Sequence, residues 1–278
     1  MQLSPSGPLS NIVKHYLLLE SGEDVRANYR LFSDGNPGIV FQFKSPLIQY
    51  TSGDLTGRVQ PDSFMYGQIT HYNNLISGGK LGMLVVVLQP DSICALLHIA
   101  ACELNNSIIK LADLFGQEAI DLEEQVLGKQ NAFEAIRYIE SFLLKKLAHT
   151  SKPDQFFKEA LYLIYKYRGT LTIEELLKKI PVTERQLERK FKEQVGTSPK
   201  KFSDTIKLQH FLKLLRNHPR SEKISDVIYN CGYYDQSHLN NYFKKVTGVT
   251  PLQYKLKHRL LATNFMQLQG GYTNHNYL

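Results

Sequence analysis

Cysteine is scarce in this 278-residue chain: Cys94, Cys102 and Cys231 make up the set, with no C-x-x-C pair and an odd count that leaves a thiol unpaired. That excludes a disulfide framework and points to a reducing compartment. Long apolar runs are lacking too. The densest, Met83 to Leu88, is far too short to cross a bilayer, and Met1 to Pro8 shows no basic segment leading into an apolar one. A soluble cytoplasmic protein with no membrane contact is expected. Metal-ligand spacing is also missing. In the first half His15, His71, His98 and His149 form no H-x-H and have no Asp or Glu at ligand spacing. No Ser/His/Asp grouping and no phosphate-cradling glycine loop is present, and Gly78-Gly79 reads as a hairpin turn. Cys94 and Cys102, in apolar helical surroundings, read as packing residues. These gaps argue against an enzyme: no catalytic residue, metal or cofactor is expected.

What is present is ample apolar material, 42% of residues, in a length that suits two domains. Charge is divided unevenly between them. Residues 1–150 hold 11 Lys/Arg against 15 Asp/Glu, and residues 151–278 hold 22 against 11. A basic second half suits a polyanion, because Lys and Arg that neutralise phosphates release condensed counterions, although a solvated basic face reads the same way.

Short apolar or alternating runs between turn clusters, such as Gly38 to Phe43 and Leu81 to Leu88, predict strands over residues 28–90. The expected result is a small antiparallel β unit within residues 1–90. Helices are expected over 91–148: one with Ile93, Leu96 and Leu97, one with Ile108, Ile109, Ala112 and Phe115 stopping at Gly116, and one from Ala132 to Leu147. The apolar stripe of the last suits either the domain core or a homodimer seam. The polar stretch His149 to Asp154 contains a proline and marks the expected boundary between domains 1–150 and 151–278. Beyond it nearly everything reads as helix until Gly270-Gly271, followed by a polar tail.

The second half repeats itself at an offset of 52 residues: Leu187, Phe191, Lys192, Gly196, Pro199 and Phe202 align with Leu239, Phe243, Lys244, Gly248, Pro251 and Tyr254. Leu and Phe four apart share one helix face, Gly supplies a left-handed stop, and Pro keeps the helix from resuming. A shorter helix precedes each copy, Thr172 to Ile180 and Ser225 to Cys231. Each unit is therefore helix, tight turn, helix, over about 172–196 and 224–248. Thr183 and Asp235 are good N-cap types, and Thr183 with Gln186 makes a capping box. The opposite faces carry Arg185, Glu188, Arg189 and Lys192 in the first unit, and Gln236, Ser237, Asn240, Asn241 and Lys244 in the second. Arg suits guanine, Asn and Gln suit adenine, Glu suits cytosine N4, and Lys suits phosphate. A connecting helix from about Pro199 to Arg216, at ~1.5 Å per residue, would set the two helices about one DNA turn apart, roughly 34–36 Å. The alternative is a helical repeat that binds protein and no DNA.

With these residues in hand, the chain resembles the AraC/XylS family of transcription regulators over roughly residues 157–259. The likeness is strongest in Gly232-Tyr233, Gln236-Ser237-His238-Leu239, Phe243-Lys244-Lys245 and Gly248-Val249-Thr250-Pro251 with Tyr254. The resemblance implies an α+β protein with a cupin-like sensor or dimerisation half and an all-α double helix-turn-helix. It also implies double-stranded operator DNA as partner and a small-molecule or protein effector, with RNA polymerase as a further partner if the chain is an activator. The groove-facing positions of the family fall on Arg185, Glu188, Arg189, Gln236, Ser237, Asn240 and Asn241. Departures are Leu177, Ile228 and Phe211 where the family usually has alanine, Pro181 for a turn glycine and Asn241 for a frequent arginine. In the first half, Tyr66-Gly67-Gln68-Ile69-Thr70 and Leu111 to Gly116 resemble the sensor half of one branch. Tyr66, Gln68 and His71 beside a predicted strand are candidate pocket residues, the alternative being a plain surface strand.

Overall fold

The computed structural model describes residues 1–22, 24–50, 56–129, 131–147, 154–217, 227–228, 231–233, 235–256 and 258–268. Residues 149–153 of the expected linker His149 to Asp154, most of the helix expected from Ser225 to Cys231, turn residue Tyr234 and the tail from Tyr272 lie outside them.

Twelve described strands form two six-stranded sheets. Sheet A runs β1 (Gln2–Leu3), β2 (Val13–Glu20), β9 (Gly82–Leu88), β4 (Gly38–Gln42), β7 (Ser63–Tyr66), β10 (Ile108–Lys110). Sheet B runs β11 (His258–Ala262), β12 (Phe265–Leu268), β3 (Ala27–Leu31), β8 (Asn73–Ser77), β5 (Leu47–Tyr50), β6 (Arg58–Val59). Every described pairing is antiparallel.

The unbroken apolar run of β9 is explained by burial on both faces of sheet A, since strand side chains alternate between faces. Met83, Val85 and Val87 join the core between the sheets, whereas Leu84, Val86 and Leu88 join the core under the helices. Those helices are Ser92–Leu97, Leu111–Phe115, Gln117–Leu127 and Ala132–Leu147. The last occupies the predicted span and turns Ala135, Ile136, Ile139, Phe142 and Leu143 into the core. The stripe with two readings is thus domain core, leaving Phe133 and Leu144 exposed.

Gly78-Gly79 closes no hairpin, because β8 and β9 lie in different sheets, and two expectations of helix fail. Ile108 and Ile109 do not begin a helix; they pair with Tyr66 and Met65 as strand β10, where two β-branched side chains suit a sheet edge, and the helix starts at Leu111. The second failure is larger. Residues 258–268, expected as helix, form the hairpin β11–β12, turning at Thr263-Asn264. Strand β12 pairs with β3 in the first half of the chain, Phe265 opposite Leu31 and Gln267 opposite Tyr29. It covers an edge of backbone donors and acceptors that β3 would otherwise expose. Phe265 stacks on Tyr29 at 5.2 Å between ring centroids.

The second half is otherwise helical: Gln155–Lys166, Ile173–Leu177, Glu184–Gln194, the connecting helix Pro199–Asn217, Gln236–Thr247 and Pro251–Leu256. The two units have separate cores. The first gathers Phe157, Leu176, Leu187, Phe191, Phe202 and Ile206; the second gathers Phe211, Leu239, Phe243, Val249 and Tyr254 with Phe32 of the first domain and Met266 of the hairpin. Unit two is therefore fused to the sheet, and unit one is not.

Candidate nucleic-acid interface

Local chemistry fixes the start of each unit's second helix. Thr183 Oγ1 accepts from the Gln186 amide at 3.3 Å while Gln186 Oε1 accepts from the Thr183 amide at 2.9 Å, the predicted capping box. Asp235 caps Gln236–Thr247 by accepting from the Ser237 amide at 2.8 Å. The short helix Ile173–Leu177 has a capping box of its own, between Thr172 and Glu175.

The inner faces repeat as the offset requires. Leu187 and Phe191 are fully buried, as are Leu239 and Phe243. The rings of Phe191 and Phe202 lie 5.9 Å apart, and those of their counterparts Phe243 and Tyr254 also lie 5.9 Å apart. Where the copies differ, the difference has a use: the Tyr254 hydroxyl, absent from Phe202, donates to the Thr263 carbonyl at 2.7 Å and holds the hairpin turn.

Outward, Arg185, Arg189 and Lys192 are exposed and Glu188 is half-buried, all on one side of Glu184–Gln194. Among the described residues nothing ion-pairs with them, so their charges stay available. They border an open groove that also takes in Thr197, Ser198 and Lys201, and, from the first domain, Thr70 and Asn105. In unit two, Gln236, Ser237, Asn241 and Lys244 are exposed and Asn240 is half-buried. Unit one presents charge, and unit two presents amide and hydroxyl groups with one lysine.

Between the domains lies a cavity of about 600 Å³, a usual size for a small-molecule site. Its side toward the two sheets is apolar, with Leu17, Leu19, Val40, Phe64, Leu75, Val85 and Phe265. The side closed by the second half is basic: Arg168, His210, Lys213 and Arg216 join Lys14 and His15, and among the described residues Asp34 is the one acidic lining residue. Burial, reinforced by Lys213 and opposed by Asp34, holds the Lys14 ammonium below the usual lysine range. Burial likewise depresses His15, with Lys14 and Lys213 adding to it against Asp34, and depresses His210, with Arg168 and Lys213 adding to it.

Of the three candidate pocket residues, Tyr66 lines this cavity. Gln68 is buried elsewhere, donating to the Gly35 carbonyl at 2.8 Å, and His71 is exposed beside Thr70. The basic wall was not foreseen, because its members are spread from Lys14 to Arg216 and only the fold assembles them.

Residues 176–257 match the helix-turn-helix domain family. The transcriptional regulator MtrA of Neisseria gonorrhoeae is 34% identical over 83 residues, 30% of this chain and 27% of that protein. The transcriptional activator RhaS of Citrobacter koseri is 29% identical over 78 residues, 28% of this chain and 27% of that protein. Over this segment the chain is similar to AraC/XylS-type transcription regulators. Its matched segment thus spans about a quarter of those relatives' length. Residues 1–110 match a domain family of unknown function, DUF6597. ToxT from Vibrio cholerae, in a structure with an unsaturated fatty acid bound, superposes with a TM-score of 0.50 at 12% identity, over 86% of this chain and 94% of that one. The likeness is one of fold: a β domain followed by a helical double helix-turn-helix. Where AraC/XylS relatives usually carry alanine, Ile228 and Phe211 are fully buried here and Leu177 packs partly buried against the unit-one core, so the larger side chains fill the cores.

Proposed function

We propose that the chain is a sequence-specific DNA-binding transcription regulator in which Arg185, Glu188, Arg189, Gln236, Ser237, Asn240 and Asn241 read bases and Lys192 and Lys244 hold phosphates. The observation that carries this reading is the pair of capped helices whose repeat-equivalent outer faces bear groove-reading types of side chain that form no ion pair among the described residues. Such faces have little use in a purely structural repeat. A regulator of this kind works where the chromosome is, in the cytoplasm, and as an activator it would also meet RNA polymerase.

The effector belongs in the interdomain cavity. An apolar sheet wall facing Lys14, Arg168, Lys213 and Arg216 suits a molecule with an apolar body and an anionic head. That ToxT was solved with an unsaturated fatty acid is consistent with this class of ligand.

The test is a salt titration of binding to fragments recovered by mapping the protein on its host genome, against random fragments of equal length. Affinity should fall steeply with salt, and recovered fragments should be favoured at physiological salt. Equally weak binding of both would sink the regulator reading and leave the protein-binding repeat.

A further inference from the structure

The two helix-stop glycines of the repeat, Gly196 and Gly248, occupy equivalent positions and both adopt the left-handed region, with φ of 91° and 72°. Each is also gripped by the first domain. Asn105 Nδ2 donates to the Gly196 carbonyl at 2.7 Å, and Arg30 Nη1 donates to the Gly248 carbonyl at 2.9 Å. The approach is close enough that a Cβ on Gly196 would lie 2.5 Å from Asn105 Oδ1, and one on Gly248 would lie 2.3 Å from Arg30 Nη1. A left-handed stop alone would tolerate asparagine; this packing would not. The gripping groups are themselves held. Arg30 is buried in β3, donates through Nε to Asn74 Oδ1 at 2.9 Å and sits 4.3 Å from the Tyr72 ring centroid. Asn105 follows the short helical turn Ala101–Leu104 that packs on Glu184–Gln194.

We propose that Asn105 and Arg30 are positioning residues of the DNA reader. The first domain fixes the separation and tilt of the two reading helices by holding the same carbonyl at the foot of each. The carbonyl is well chosen, because the helix cannot rotate or slide without moving its own C-terminal stop. Both grips are wired to the cavity: Leu31, next to Arg30, and Asn106, next to Asn105, line it. An occupant therefore touches the neighbour of each grip, and its presence can reset the spacing that the reader accepts. This assignment rests on the DNA-binding reading for its consequence and on geometry alone for its mechanism.

The experiment uses the full chain and Asn105→Asp, which keeps the shape and replaces the donor with an acceptor facing the Gly196 carbonyl. Spin labels attached without cysteine chemistry at the exposed positions Glu184 and His238 report the helix separation without DNA. The separation should be narrow in the parent and broad in the variant. On DNA, inserting one base pair between the two subsites turns one away by about a tenth of a turn. It should weaken the parent roughly tenfold or more and the variant about threefold or less, with binding to either subsite alone unchanged. Arg30→Gln, too short to reach Gly248, should act in the same direction, and Asn105→Gln, which restores a donor, should recover part of the parent's spacing dependence. An unchanged distance distribution in both Asn105→Asp and a folded Arg30→Gln overturns the grips. A broadened distribution with an unchanged insertion penalty overturns their role in positioning on DNA. Absence of specific DNA binding by the parent would remove the regulator reading while the label distances still decide the grips.

Discussion

At the scale of single residues, the outer faces were legible because helix periodicity alone separates Leu187 and Phe191 from Arg185, Glu188 and Arg189. Arg189→Ala should cost ~1–3 kcal/mol and relax discrimination at one base, whereas Lys244→Ala should weaken all sequences alike and flatten the salt dependence. Binding to a panel of single-base operator variants decides it: equal loss across the panel for both substitutions removes the base-reading role of Arg189. Asn105 and Arg30 were invisible by comparison. Their partners lie 91 and 218 residues away, and no local pattern marks an asparagine in a loop or an arginine in a strand as a holder of something so remote. Gly196 and Gly248 were found, but as helix stops; the Cβ-excluding contact above each is a second constraint that sequence could not reveal. Tyr254→Phe would make the copies match and remove one hydrogen bond, about 1 kcal/mol. Hydrogen exchange at Thr263 and Asn264 should speed up while the Gln236–Thr247 helix keeps its protection, and unchanged exchange there would mean that the hydroxyl does not hold the turn.

At the scale of elements, helices with caps at one end and Gly or Pro at the other were read correctly, and Ala132–Leu147 occupies the span expected for it. Strand β9 was legible as a strand, although its double burial was not. The hairpin β11–β12 was misread because Arg259 to Leu268 has no strong turn dipeptide, and the apolar residues around Thr263-Asn264 suit either period. What decides the matter is the open edge of β3, which lies in the other half of the chain. Phe265→Ala tests the hairpin as a structural member. Phe265 is 4% exposed and stacks on Tyr29, so its loss should lower stability by ~3–5 kcal/mol, read by denaturant melts that follow both domains together. A fall below about 1 kcal/mol, or a transition confined to the second half, would show that the hairpin is an ornament and not a joint.

At the scale of the whole molecule, the uneven charge seen in the sequence takes on a second meaning. Part of the basic half lies on the outer faces of the two helix-turn-helix units, and part, through Arg168, Lys213 and Arg216, lines the cavity. Since His15 and His210 sit below the usual histidine range in the free protein, the unfolded chain binds more protons just below pH 6.5, and free-protein stability should drop as pH falls through that value. An anion in the cavity attracts those same protons and pulls both pKa values up, so its stabilisation should grow over the range in which the free protein weakens. Melting temperatures of the protein with and without an apolar carboxylate, from pH 7.5 to 5.5, measure this. A ligand shift independent of pH would place the anionic head away from both histidines. The hairpin adds a consequence in time. Phe32 and Asn264, 232 residues apart, exchange backbone and side-chain hydrogen bonds. During synthesis the β3 edge must therefore wait, unpaired, until residue 268 has left the ribosome, at ~5–20 residues per second. For those seconds the nascent chain carries a bare strand edge that invites other strands. A chaperone or a neighbouring nascent chain meets this protein there first.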